Sequence, residues 1–239
     1  MNIFDEMGLY WAEIADQNQT EKQLELLKNR LKPEGYVLDI ACGTGRHTIS
    51  LSKDGYDMVG LDVSANLLKI AKQRSGKVQL VRGDMRFLPF KPQTFAAAIS
   101  MDTSFGYLPS DADNRISLAE LRRVLFQRGV FVIDVFNREK LATRYKGQNN
   151  SIKTKEYPSF FLQQQRTVST DGEWLCDSWT TRDKSDGKVR FFEHKVRLFG
   201  KGELQELLEE AGFAVEEVYG GYKMEKFNAD SPRLILLAR

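Results

Sequence analysis

The spacing of apolar and polar positions divides this chain into three regions. Leu24, Leu27 and Leu31 recur at helical spacing over residues 20 to 31, and Pro33-Glu34-Gly35 stops that helix. Short apolar runs then alternate with helical stretches. Strand 36 to 41 leads through Gly43 and Gly45 into a helix that reaches about Lys53 and ends at Asp54-Gly55. Met58 to Leu61 is a second strand finishing in Asp62, after which Ser64 caps a helix bearing Leu67, Leu68 and Ala71. Val78 to Val81 is a third strand, Phe95 to Met101 a fourth and Val130 to Val135 a fifth, with a helix of Leu118, Leu121, Val124 and Leu125 before the fifth. Strand and helix alternating in this way predict a mostly parallel, doubly wound sheet that takes ligands at the carboxyl ends of its strands.

Beyond Asn137 the period falls to two. Residues 158 to 199 alternate and hold two hairpin signals, Asp171-Gly172 and Asp186-Gly187, which predict three antiparallel strands. Two-residue loops at both turns place Gln164 opposite Trp179, Trp179 opposite His194 and Arg166 opposite Asp177. One face then carries Leu162, Val168, Phe192, Val196 and Leu198, whereas Gln163, Gln165, Thr167, Ser178, Thr180, Glu193, Lys195 and Arg197 face solvent. A helix returns over 202 to 211 with Gly212 terminating it, and Phe213 to Tyr219 and Leu234 to Ala238 supply two final strands.

Composition narrows the class. Thirty-five basic and 33 acidic residues give a net charge of +2 without a like-charge run, so neither a nucleic-acid arm nor a membrane-surface patch is indicated, although a nucleic-acid partner stays open. The longest apolar stretches are far short of the ~20 residues that span a bilayer. Met1-Asn2-Ile3-Phe4 lacks the order of a signal peptide, which makes a cytoplasmic location the expectation. Cys42 and Cys176 lie far apart in different kinds of element and are expected to be buried, with neither a disulfide framework nor a metal site.

The candidate chemistry begins at Asp39-Ile-Ala41-Cys-Gly43-Thr44-Gly45-Arg46, where glycines let the backbone approach a ligand and the following helix offers unpaired N–H groups. A dinucleotide fingerprint would want a third glycine where Thr48 stands. Asp62, at the end of the second strand, suits a ribose diol with either a dinucleotide or another nucleoside.

Together, Val37 to Gly45, Val59 to Ser64, Arg82-Gly83-Asp84-Met85 and Ile99 to Tyr107 resemble, in order and spacing, the class I S-adenosylmethionine-dependent methyltransferases. Leu121 to Gly129 is similar to that family's helix and turn before strand five, with Gln127-Arg128-Gly129 in place of a proline-glycine turn. The resemblance implies a Rossmann-like seven-stranded sheet of order 3-2-1-4-5-7-6, formed by residues 1–137 and 200–239, with residues 138–199 inserted as a three-stranded cover over the active site. It implies S-adenosylmethionine as cofactor and S-adenosylhomocysteine as product. Asp39 would orient the methionine amino group, and Ala41, Gly43, Thr44 and Gly45 would lie against the methionyl and ribose portions. Arg46 would meet the cofactor carboxylate, Asp62 the ribose hydroxyls, and Asp84 with the Met85 N–H the adenine, flanked by Val63 and Leu67. Met101 would close the reacting end.

The acceptor is expected to be a small molecule taking the methyl on N or O, under the apolar face of the cover. The alternatives are a tRNA or protein substrate and a non-catalytic cofactor-binding regulator; the protein would be a monomer or a homodimer. Asp102-Thr103-Ser104-Phe105 lacks the prolines typical of methylation of base amines, and Asp102, Asp134 and Asn137 only faintly echo a metal-dependent site, so no metal is expected. Trp179, His194, Tyr222 and the lid residues Tyr10 and Trp11 are the candidate acceptor pocket, with His194 as candidate base.

Overall fold

The structure is a computed structural model, and residues 3–16, 19–31, 34–145 and 151–239 are described. Pro33 of the expected helix stop, and Met1 and Asn2, lie outside these residues. Seven strands form the main sheet in the order β3-β2-β1-β4-β5-β11-β10. They are β1 (Val37–Ile40), β2 (Met58–Asp62), β3 (Gln79–Arg82), β4 (Phe95–Ser100), β5 (Leu125–Phe136), β10 (Val215–Tyr219) and β11 (Arg233–Ala238). The first five run parallel and β11 is antiparallel to both neighbours. Counting these strands alone, the order is the expected 3-2-1-4-5-7-6. β1 and β2 are buried at every position, as strands covered on both faces must be. Helices α2 (Thr20–Arg30), α3 (Arg46–Lys53), α4 (Ala65–Arg74), α5 (Asp111–Val124) and α7 (Lys201–Glu210) accompany this sheet. One core cluster joins Leu38, Phe131 and Leu208, and another joins Leu27, Ile99 and Ile235.

Two boundaries differ from expectation. Leu125 opens β5 instead of closing α5, pairing with Phe95. Gln127-Arg128-Gly129 is a bulged passage within that strand, because the pairing jumps from Phe95–Leu125 to Ala97–Val130.

After α6 (Arg138–Tyr145), the second sheet has four strands, not three: β6 (Ser151–Glu156), β7 (Phe160–Val168), β8 (Trp174–Asp183) and β9 (Val189–Arg197). β6 escaped the pattern because it is an edge strand with Lys153, Lys155 and Glu156 exposed, charges that keep an edge from pairing further. The first hairpin has the expected register, Gln164 opposite Trp179 and Arg166 opposite Asp177. In the second, Asp183 N–H bonds Lys188 O across a four-residue loop, with Gly187 (φ 70°) at its end. Trp179 therefore faces Phe192, and His194 faces Asp177. A slip of two residues moves partners without exchanging faces, so Leu162, Phe192, Val196 and Leu198 are still buried. Arg197 is the exception on the other face: it is only 3% exposed and pairs with Glu203 at the start of α7. Cys42 is buried, while Cys176 is only partly so.

Helix α1 (Ile3–Asp16) lies between the two sheets and breaks at Gly8 (φ 31°, ψ −103°). Its first half clasps α4: Ser64 Oγ and Asn66 N–H both donate to Asp5 Oδ1. Its second half docks on the cover, where Trp11 stacks on Trp179 at 5.6 Å and Glu13 bonds Ser159. Among the described residues, no helix is long and apolar enough to cross a membrane.

Candidate active site

The loop after β1 turns through left-handed conformations at Ala41 (φ 57°), Gly43 (φ 55°) and Gly45 (φ 77°). At Gly45 a side chain would be strained by φ and would also meet Ile49 and Ala71 within 3.2 Å. The loop folds over Asp62, whose Oδ2 accepts from Gly43 N–H and whose Oδ1 accepts from Ser64 N–H, both at 2.8 Å. Burial pushes the Asp62 carboxyl up, and those two backbone donors oppose the shift. Asp39 lies deeper: its Oδ2 accepts from Thr48 N–H (3.1 Å) and Thr48 Oγ (2.6 Å), and burial raises it to about 7. Thr48, which stands where a dinucleotide loop has its third glycine, thus ties strand β1 to the first turn of α3.

A cavity of about 220 Å³ opens from Asp62 toward the cover. On one side it is lined by Ala41, Gly43, Asp62, Val63, Leu67, Asp84 and Met85. On the other it is lined by Phe4, Trp11, Asp102, Ser104, Tyr107, Leu108 and Pro109. These two groups come from the carboxyl ends of β1 to β4 and from α1, the site the alternating pattern implied. Of the expected cofactor residues, Asp39, Thr44, Gly45, Arg46 and Met101 do not line it. Met101 is buried in the cluster with Leu27 and Ile99, and Thr44 is buried with its hydroxyl oxygen unpartnered among the described residues. Arg46 reaches Asp102 Oδ2 at 2.9 Å and Gln23 Oε1 at 3.3 Å.

Asp84 is not a lone acceptor. Arg86 grips its carboxylate through Nε and Nη2, holding it below the usual range, and reaches on to Asp113 of α5 at 2.7 Å. Arg86 was not among the sequence candidates, although its place two residues after Asp84 is the signal.

The expected acceptor residues divide. Trp11 lines the cavity, and Trp179 and His194 stand directly behind it, at 5.6 Å and 6.4 Å between ring centres. His194 is also packed against Tyr107 at 5.7 Å; its Nε2 is 3.7 Å from Asp177 Oδ2, and among the described residues its buried Nδ1 has no partner. Burial pushes its imidazole down despite Asp177. Tyr10 is turned away onto Asp183, Arg190 and Phe160. Tyr222 lies on the far side of Asp102, bonded to Gln23 and to Asp134 Oδ2. Asp134 also receives Arg233 Nε and Asp102 N–H, and Asn137 Nδ2 donates to backbone carbonyls of 228, 229 and 231. Asp134 and Asn137 therefore serve the local framework, and among the described residues no three metal-ligating side chains converge.

Phe4, Ser104, Tyr107, Leu108 and Pro109 were missing from the site candidates. The available signal was Gly106 between aromatics: a side chain there would come within 2.6 Å of Val196, so Gly106 is where β9 touches the turn after β4.

Residues 37–129 match the family model described as a methyltransferase domain. The putative methyltransferase YqeM of Bacillus subtilis is 24% identical over 99% of this chain and 97% of its own length. The uncharacterized protein MJ1252 of Methanocaldococcus jannaschii is 30% identical over 82% of this chain and 68% of its own. A solved S-adenosylmethionine-dependent methyltransferase from Clostridium acetobutylicum superposes with a TM-score of 0.82 at 19% identity, covering all of this chain and 99% of the other. The chain carries a methyltransferase domain over residues 37–129 and shares, over its whole length, the fold of solved S-adenosylmethionine-dependent methyltransferases.

Proposed function

We propose that the protein transfers the methyl group of S-adenosylmethionine to an N or O atom of a small molecule held between the main sheet and the cover of residues 138–199. The observation that carries this reading is Asp62. Each of its oxygens already accepts one backbone N–H, and an ionised carboxylate has about four acceptor sites, so one site per oxygen is left for a vicinal diol at the cavity wall. Val63 and Leu67 would flank the adenine, with Asp84 and the Met85 N–H at its edge. The backbone from Ala41 to Gly45 would carry the methionyl end. Asp39 contributes from below, by fixing Thr48 and the first turn of α3, and Arg46 orients Asp102 at the far end.

The cofactor supplies an electrophilic methyl with a neutral thioether leaving group. The protein's share is then to align the acceptor and exclude water, which Phe4, Trp11 and the 107–109 turn do by closing the cavity. His194 is the candidate base for an oxygen acceptor, one ring behind the lining. A cavity walled by α1 and the turn after β4, with the cover packed behind them, favours a small acceptor over a macromolecule.

Calorimetric titration tests the reading. S-adenosylhomocysteine is expected to bind at one site; no heat from it or from S-adenosylmethionine, with clear binding of NAD, would overturn it.

A further inference from the structure

The cavity wall opposite Asp62 is built from aromatic rings and an acid. Phe4 meets Trp11 edge-on at 5.3 Å and Tyr107 edge-on at 4.8 Å, and all three line the cavity with Asp102. Trp179 backs Trp11, and His194 backs Tyr107, so the rings are held in place from behind. Asp102 is fixed from two directions. Its backbone, left-handed at φ 59°, donates its N–H to Asp134 Oδ2 at 3.0 Å, and Arg46 holds its carboxylate. Among the described residues, the basic side chain in the lining is Arg86, clamped between Asp84 and Asp113 at the opposite end.

We infer that this wall selects an amine: the acceptor is a small primary or secondary amine, held by the rings of Phe4, Trp11 and Tyr107 and by the carboxylate of Asp102. The inference rests on the methyl-transfer reading above and names its substrate class. Aromatic faces and a carboxylate both attract positive charge. In transfer to nitrogen, the amine lone pair forms the new N–C bond as the C–S bond breaks and its electron pair goes to sulfur. An amine that arrives unprotonated needs no base: positive charge moves from sulfur to nitrogen, and the product is an ammonium ion that keeps its proton until release. The wall is complementary to the charge at the point where it arrives. A hydroxyl acceptor would need its proton removed, and the imidazole of His194 lies outside the lining.

The test uses the intact protein saturated with S-adenosylhomocysteine. That first titration stands alone: if the thioether does not bind, the methyl-transfer reading fails before the acceptor is probed. Choline, which carries a methylated ammonium, is then compared by calorimetry with its neutral isostere 3,3-dimethyl-1-butanol. Choline is expected to bind about tenfold more tightly. Trp11→Leu, Tyr107→Leu and Asp102→Asn should each shrink that preference, and Tyr107→Phe, which keeps the ring, should retain it. Circular dichroism and S-adenosylhomocysteine affinity on each variant separate misfolding from lost selectivity. Equal affinity for the two probes, no binding of choline, or a preference that survives both Trp11→Leu and Asp102→Asn overturns the inference.

Discussion

Asp62, in the cavity wall, and Asp177, inside the cover, are both almost fully buried acids, yet they are satisfied in opposite ways. Asp62 is held by two backbone N–H groups from residues 19 positions before and two positions after it. Asp177 accepts only from side chains: Gln164 Nε2 at 2.8 and 2.9 Å, Arg166 Nε at 2.7 Å and Trp179 Nε1 at 2.7 Å. Backbone donors leave a carboxylate able to receive a ligand at the end of a strand. Side-chain donors consume it, so that Asp177 serves as the internal post on which β7, β8 and the ring of Trp179 are aligned. Asp62 thus faces the cavity at the edge of the main sheet, and Asp177 is part of the scaffold of the cover.

That contrast can be broken by substitution. Asp177→Ala should have the largest effect on stability, a loss of about 3 kcal/mol, because Arg166 loses its counter-ion. Thermal unfolding measures it, and affinity for S-adenosylhomocysteine should change little by comparison. Asp62→Ala should do the reverse, weakening S-adenosylhomocysteine by ~1–3 kcal/mol through lost charge-assisted hydrogen bonds, read by calorimetry. Unchanged affinity would remove its assigned role. Trp11→Ala removes the stack that joins lid to cover, worth about 1 kcal/mol, and stopped-flow fluorescence should show several-fold faster release of bound S-adenosylhomocysteine.

A separate expected effect concerns pH. Asp39 is raised from 3.8 to about 7, so the folded protein binds more protons here than the unfolded chain, and stability from this site falls as pH rises from about 4 to about 7. His47, on α3 against Gln23, has the opposite sign: burial lowers it to about 3, and its contribution is present above pH 6.5 and lost as pH falls toward 3. Asp39→Asn should flatten the first slope and leave the second, as denaturant midpoints across pH 4 to 8 would show.

Legibility followed the same division. The strand-loop-helix units, the helix cap at Ser64 and the cavity-lining set around Asp62 were readable because each depends on residues close together in sequence. In the cover, the faces of the strands were readable and the partners were not. The period of two specifies which side a residue takes, but the four-residue loop before Lys188 specifies that His194 meets Asp177 rather than Trp179. β6 was invisible for a related reason, since an exposed, charged edge has no buried face to betray it.

The sequence by itself determined the doubly wound sheet and the acids at its strand ends, through hydrophobic periodicity and glycine placement that act over a few residues. Only the tertiary structure decided the cavity wall opposite Asp62. Phe4, Trp11, Asp102 and Tyr107 come from α1 and from the turn after β4, and they converge because the helix break at Gly8 and the close approach at Gly106 bring lid, cover and sheet into contact. Contacts of that range leave no local pattern, because each residue is chosen for a partner far away in the chain.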